Sequence, residues 1–182
     1  MMVFDDFVIV EKTPRNIIEK YKGKIPYQVI EVWEKYGFGS LKNGYLRVIN
    51  PDDFKEILLN TYEDDDLDLS IPLFITAMGD ILVWDNEYLL KFNYRRNEVK
   101  VIAAGFDYFF EDLNDEYYLE DALEWLPYPV AIKEYGEPAF DECFGYVPIL
   151  GIGGSEKIEN LQKVKFLEHI YLITQLVGPI DF

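Results

Sequence analysis

Between Pro72 and Ile102, four short apolar runs follow one another with almost no chain between them. They are Pro72-Leu-Phe-Ile-Thr76, Ile81-Leu-Val-Trp84, Tyr88-Leu-Leu-Lys-Phe92 and Val99-Lys-Val-Ile102. The links are Met78-Gly79-Asp80, Asp85-Asn86-Glu87 and residues 93–98, all turn chemistry. A parallel crossover needs about a dozen residues or more, so these runs pair antiparallel with their neighbours. A doubly wound parallel sheet is thereby excluded.

Helices are expected on either side. Thr13-Pro14 reads as a cap and first helical position, opening a helix to about Lys22 with Ile17, Ile18 and Tyr21 inward. Ile25-Pro26 opens a second, carrying Val29, Ile30, Trp33 and Tyr36 to Gly37, with Gly39 in a flexible loop beyond. Tyr45 to Ile49 is a further strand, and Asn50-Pro51 caps a third helix to about Leu59. From Phe106 the spacing is helical again. Pro127, Pro129, Gly136 and Pro138 then read as breaks, and Cys143 to Val147 as a strand. Ile158, Leu161, Val164, Leu167, Ile170, Ile173 and Val177 recur at steps of three or four, which predicts a helix of about five turns from Glu159 to Val177. The expected fold is α+β: a mostly antiparallel sheet of about five strands, Tyr45 to Ile102, flanked by helices, with a long C-terminal helix. Residues 1–110 form the sheet-containing part and 111–182 a helical part packed on it, the boundary falling between Ala104 and Asp115.

Charge narrows the functions. With 17 basic and 34 acidic residues the net charge is −17. Such a chain repels nucleic-acid backbone and anionic lipid, so direct nucleic-acid or membrane binding is not expected. The excess serves either solubility or capture of a basic partner, for instance a nuclease. One cysteine, Cys143, allows no intrachain disulfide and fits a reducing compartment. The first residues are acidic where a signal peptide needs bases, and no apolar run reaches the roughly 18 residues of a membrane span. A cytoplasmic protein is expected.

Three chemical constellations can be tested by spacing. Gly151, Gly153, Gly154 and Ser155 lie in a glycine-rich loop, yet both the dinucleotide fingerprint and the P-loop require glycine where Glu156 stands. A carboxylate in the first turn of the following helix, with Glu159 behind it, would repel phosphate. The loop therefore reads as a tight strand-to-helix connection with Ser155 as N-cap. The acidic stretch Asp64 to Asp68 fails the calcium-loop pattern, with Leu69 at the glycine position and Ile75 at the glutamate position. His169 and Cys143 form a conceivable dyad that nothing orients, and clustered metal ligands are absent. No catalytic residue, cofactor or metal is expected.

The order of motifs resembles a known family. Trp33-Glu-Lys-Tyr-Gly-Phe-Gly39, Gly44-Tyr-Leu-Arg-Val-Ile-Asn-Pro-Asp-Asp-Phe54 and the stretch Ile71 to Trp84 are similar to the GAD-like domain family. Cys143 to Gly154, continued to Gly178-Pro-Ile180, resembles the C-terminal part of immunity proteins against type VI secreted DNase toxins. The resemblance covers nearly the whole chain and implies a bacterial, cytoplasmic, non-enzymatic protein that binds a cognate toxin. It carries over no catalytic residue. If the toxin is basic, the expected contact residues are Glu63, Asp64, Asp65, Asp66 and Asp68, then Glu111, Asp112, Asp115 and Glu116. A competing expectation is a small-molecule-sensing regulatory module using the region Tyr108 to Tyr118 or the loop Gly151–Gly154.

Overall fold

The computed structural model describes residues 3–63 and 69–181. Its centre is a seven-stranded antiparallel meander in strict chain order. The strands are β1 (Val8–Glu11), β2 (Phe38–Leu41), β3 (Leu46–Val48), β4 (Ile71–Thr76), β5 (Asp80–Asp85), β6 (Tyr88–Asn93) and β7 (Glu98–Ala104). The α+β reading with an antiparallel sheet holds, with seven strands in place of about five. The two extra strands lie before Tyr45. Gly39, expected in a flexible loop, pairs with Ile9 across β1 and β2. A Cβ there would run into the Val8 carbonyl and the Phe7 ring, so this glycine serves close strand approach, not flexibility.

Helices cover both faces of the sheet. α1 (Arg15–Tyr21), α2 (Tyr27–Lys35), α4 (Phe109–Asp112), α5 (Glu116–Asp121) and α6 (Pro127–Tyr135) bury their apolar residues in one core, with Trp33, Phe74, Leu82 and Phe109. α3 (Lys55–Thr61) and α7 (Phe166–Val177) bury theirs in a second, with Ile81, Val83, Phe92 and Ile170. The alternation along β5, Ile81 and Val83 to one core and Leu82 to the other, follows the strand period of two. Coverage on both faces explains why every residue of β4 is buried and why its sequence is a continuous apolar run.

The C-terminal half departs from its sequence reading in two places. Pro127 and Pro129 do not break the chain; they open α6, where the missing N–H groups have no intrahelical partner to lose. The expected helix Glu159 to Val177 is a strand followed by a shorter helix. β8 (Glu142–Tyr146) and β9 (Leu161–Lys165) form an antiparallel hairpin, with Cys143 opposite Val164. Leu161 is buried while Gln162 and Lys163 are exposed. α7 begins only at Phe166, whose N–H donates to the Asp141 carbonyl at 2.9 Å. Apolar steps of three placed Leu161 and Val164 in apparent helical register, but hairpin pairing decides their conformation. The glycine loop thus joins β8 to β9, not a strand to a helix. Ser155 does not cap α7: its hydroxyl and carbonyl both accept from the Asn160 side-chain amide. Gly151 lies against the Val177 side chain, Gly153 has φ +97°, and a Cβ on Gly154 would strike the Pro148 carbonyl.

Two polar joints fasten this half to the sheet. Arg47 on β3 is buried, and its guanidinium donates to the carbonyls of Gly44, Pro138, Phe140 and Glu142. Glu124 forms the second joint. After α5 the chain turns back, with the Trp125 N–H donating to the Leu119 carbonyl and Glu124 at φ +53°. Helices usually place glycine at this left-handed position. Here the side chain is needed. Its carboxylate accepts from Lys91 (3.1 Å), Asn93 (3.0 Å), Arg95 (3.4 Å) and Arg96 (2.7 Å). Arg96 continues to Glu156 at 2.5 Å, so the acid expected to guard a helix terminus is an ion-pair partner instead. Burial alone would raise the Glu124 pKa, but the Arg96 hydrogen bond and the charges of Lys91 and Arg95 outweigh burial and lower the pKa to about 2.

Four outcomes follow from the loop and from the Glu124 joint. Gly154→Ala should lower stability in urea by about 2 kcal/mol through overpacking, and Gly153→Ala by about 1 kcal/mol through its positive φ. A depressed pKa in the folded state stabilises above the unfolded value, here 4.5, and that contribution disappears as pH falls towards the folded value. Wild-type stability should therefore drop between pH 4.5 and about 2. Glu124→Gln should lose about 3 kcal/mol at neutral pH, because it strands the buried Lys91 ammonium, and should lack that share of the acid slope. Chemical denaturation across pH measures both.

Candidate partner-binding groove

On the first-core face, the N-terminal segment, α2, the β2–β3 turn and α4 enclose an open cleft of about 880 Å³. Its floor is apolar and packed by aromatic rings. Phe4 meets Phe110 edge-on at 5.1 Å, Phe7 stacks on Tyr36 at 4.8 Å, and the Phe4 N–H donates to the Tyr36 hydroxyl at 3.0 Å. Leu41 and Leu113 are buried beneath. These contacts pin the segment before β1 to α2 and α4, which fixes the acids it carries.

The walls are acidic. Asp5, Asp6, Glu31, Asp107 and Glu111 line the cleft against a single amine, Lys42. That amine is turned to the Asn114 side-chain carbonyl at 2.9 Å. Asp6 accepts from the Lys42 backbone N–H at 2.7 Å, and Asp107 from the Gln28 amide at 3.1 Å. Two of the carboxylates are thus oriented by neutral donors. Tyr27 and Tyr108 stand on the rim, 67 % and 70 % exposed, and Tyr117 beyond them is 73 % exposed. Carboxylates between exposed tyrosine rings match lysine and arginine chemistry, by charge-assisted hydrogen bonds and by cation–π contact. Tyrosine also dominates the contact centres of protein interfaces.

The acids singled out from the sequence fall in three places. Glu111 is in the groove. Asp112 and Glu116 follow on the same α4–α5 stretch, while Asp115 caps α5 by accepting from the Tyr117 N–H at 2.9 Å. Glu63 follows α3, on the opposite face of the sheet, and Asp64, Asp65, Asp66 and Asp68 lie outside the described residues. The sequence reading missed Asp5, Asp6, Glu31 and Asp107 because they are scattered over a hundred positions and meet only through the fold.

Other constellations do not assemble. Cys143 is buried, burial pushes its thiol up to about 12, and no hydrogen bond joins it to His169 among the described residues. Burial also lowers the His169 pKa, and Gly145 lies against its ring with no room for a Cβ. Among the described residues no group of three or more His, Cys, Asp or Glu is placed to hold a metal ion. The void beside Gly151, lined by Arg95, Tyr146 and His169, measures about 10 Å³, which is room for about one water and not for a nucleotide. No helix among the described residues is long and apolar enough to cross a membrane.

Comparison with known proteins places these features. Residues 2–95 match the family model of the GAD-like domain. Residues 103–177 match the model of the C-terminal part of T6SS immunity protein Tdi1. No curated protein matches the chain. Among solved structures, the crystal structure of Atu4351 from Agrobacterium tumefaciens is similar, with a TM-score of 0.70 and 20 % identity over 93 % of this chain and 85 % of that one. At that identity the likeness is one of fold.

Proposed function

Because the chain belongs to the GAD-like domain family and its C-terminal part matches a T6SS immunity protein, we propose that it is an immunity protein that binds and neutralises a cognate toxin in the bacterial cytoplasm, without catalysis. The observation that carries the contact surface is the acidic groove. Its walls come from both matched segments: Asp5, Asp6 and Glu31 from one, Asp107 and Glu111 from the other. A cleft shared in this way needs both parts present and held in register.

The chemistry of the groove favours a basic toxin, and a nuclease is the toxin class whose surface is basic of necessity, since it must attract phosphate backbone. A line of carboxylates offers such a surface the charge pattern of its substrate. The exposed tyrosines supply contact area and ring faces for its lysines and arginines. The acids of the α4–α5 stretch, Asp112, Asp115 and Glu116, extend the same field. Inhibition on this reading is occupation: the toxin surface that would hold nucleic acid holds the groove.

The test is association with the protein encoded beside this chain's gene, followed by biosensor across ionic strength. Asp107→Asn combined with Glu31→Gln and Glu111→Gln should slow association about tenfold at low salt and much less at high salt, because rim charges act on encounter and salt screens them. Folding should hold, since like charges are removed from one surface. An unchanged rate at low salt would remove the groove from the interface, and failure of the wild-type chain to protect cells from any neighbouring gene product would remove the immunity reading.

A further inference from the structure

The two edges of the sheet are not equivalent. β7 carries Lys100, paired with Glu98 at 2.9 Å, and charges of this kind keep an edge strand from pairing with another chain. β1 carries no charge within its apolar run. Val8, Ile9 and Val10 are 62 %, 56 % and 53 % exposed. Successive side chains of a strand point to opposite faces, so three exposed residues in a row mean that neither helical layer reaches this edge. Among the described residues only β2 pairs with β1, and the backbone groups facing away from β2 meet no further strand. A bulge between Ile9 and Glu11 ends the regular ladder, which keeps the open template to a few residues.

This edge continues the groove. Asp5 and Asp6 line the cleft, the strand starts at Val8, and Glu11 closes its far end. The apolar template is therefore flanked by carboxylates on both sides. From this juxtaposition we infer that β1 accepts an extended segment of the toxin as an eighth strand, with β-branched residues over Val8 to Val10 and lysine or arginine at its ends. The inference rests on the immunity reading and names the form in which the partner binds: main-chain pairing supplies affinity, and the flanking charges supply register. A second copy of this chain is the poorer occupant. Antiparallel pairing through β1 would bring Asp5 and Asp6 of one copy towards Glu11 of the other, between molecules that each carry −17.

The probe is a short synthetic peptide with a valine core and lysines at both ends, its control the same peptide with glutamates for lysines. Hydrogen exchange is followed on the whole chain at low salt. The lysine peptide should slow exchange across Val8–Glu11 about tenfold or more, and the glutamate peptide should not. Ile9→Lys combined with Val10→Lys alters only exposed side chains; it should keep the thermal transition of the wild type and weaken the peptide about tenfold. Asp107→Asn with Glu111→Gln should leave the protection at β1 in place. Absence of protection at β1, equal protection by the glutamate peptide, or protection that follows dimerisation in sedimentation equilibrium would each overturn the inference. No toxin enters this assay, so its failure leaves the immunity reading standing. A protected β1 in a chain that captures no toxin would instead sink that reading and leave a basic-strand acceptor.

Discussion

Lys91 lies in the middle of β6 with its side chain wholly out of solvent, and an ammonium in that position is tolerable only with a compensating charge. Glu124 provides it from the other half of the chain. The two are brought together by a backbone turn that a glycine would make with less strain, which shows what the carboxylate is for. Around it Asn93, Arg95 and Arg96 complete the ring of donors. The joint sets where α5 ends relative to the sheet. α4 hangs between β7 and α5, so the same joint sets where Asp107 and Glu111 stand. The geometry of the groove depends in this way on charges that are not part of it.

The network also shapes the outer field. Arg47, Lys91 and Arg95 are spent inside the protein on carbonyls and carboxylates, while Asp5, Asp6, Glu31 and Glu111 remain exposed. Internal use of cations leaves the surface more one-sided than composition alone would make it. Acidity and stability are then separable properties. Neutralising rim acids relieves repulsion, whereas touching Glu124 unpairs a buried cation.

Much of this architecture can be read in the residues where local chemistry is decisive. The short turns from Met78 to Glu98 permit only an antiparallel meander. Asn50-Pro51, expected to cap the third helix, caps a single 3-10 turn, Pro51–Asp53, with the Asn50 side chain accepting from the Asp52 N–H, and α3 starts separately at Lys55. Legibility ends where pairing partners are remote. β1 and β2 are short, and Gly39 reads as loop until Ile9 is placed beside it. β9 has apolar residues at helical steps and becomes a strand because β8 is there to pair with it. Of the groove's acids, only Glu111 is signalled locally, as part of the dense run Glu111 to Glu116. Asp5, Asp6 and Glu31 give no pattern, and Glu124 is one acid among 34.

The second core holds a consequence for how the protein is made. It is assembled from residues as early as Ile49 and as late as Ile180, and Phe166, Ile170 and Ile173 of α7 are its cover. Ile180 closes it by donating its N–H to the Thr61 carbonyl at 2.7 Å. On the ribosome the seven strands of the meander, which end at Ala104, emerge before these residues do. One face of the sheet, with Ile81, Val83 and Phe92, therefore stays bare until α7 has been made, and pairing over such sequence separation is slow. A nascent chain in that state exposes apolar surface and an open β1 together, the combination that invites misassembly between chains. The net charge of −17 opposes contact between neighbouring nascent chains in the interval.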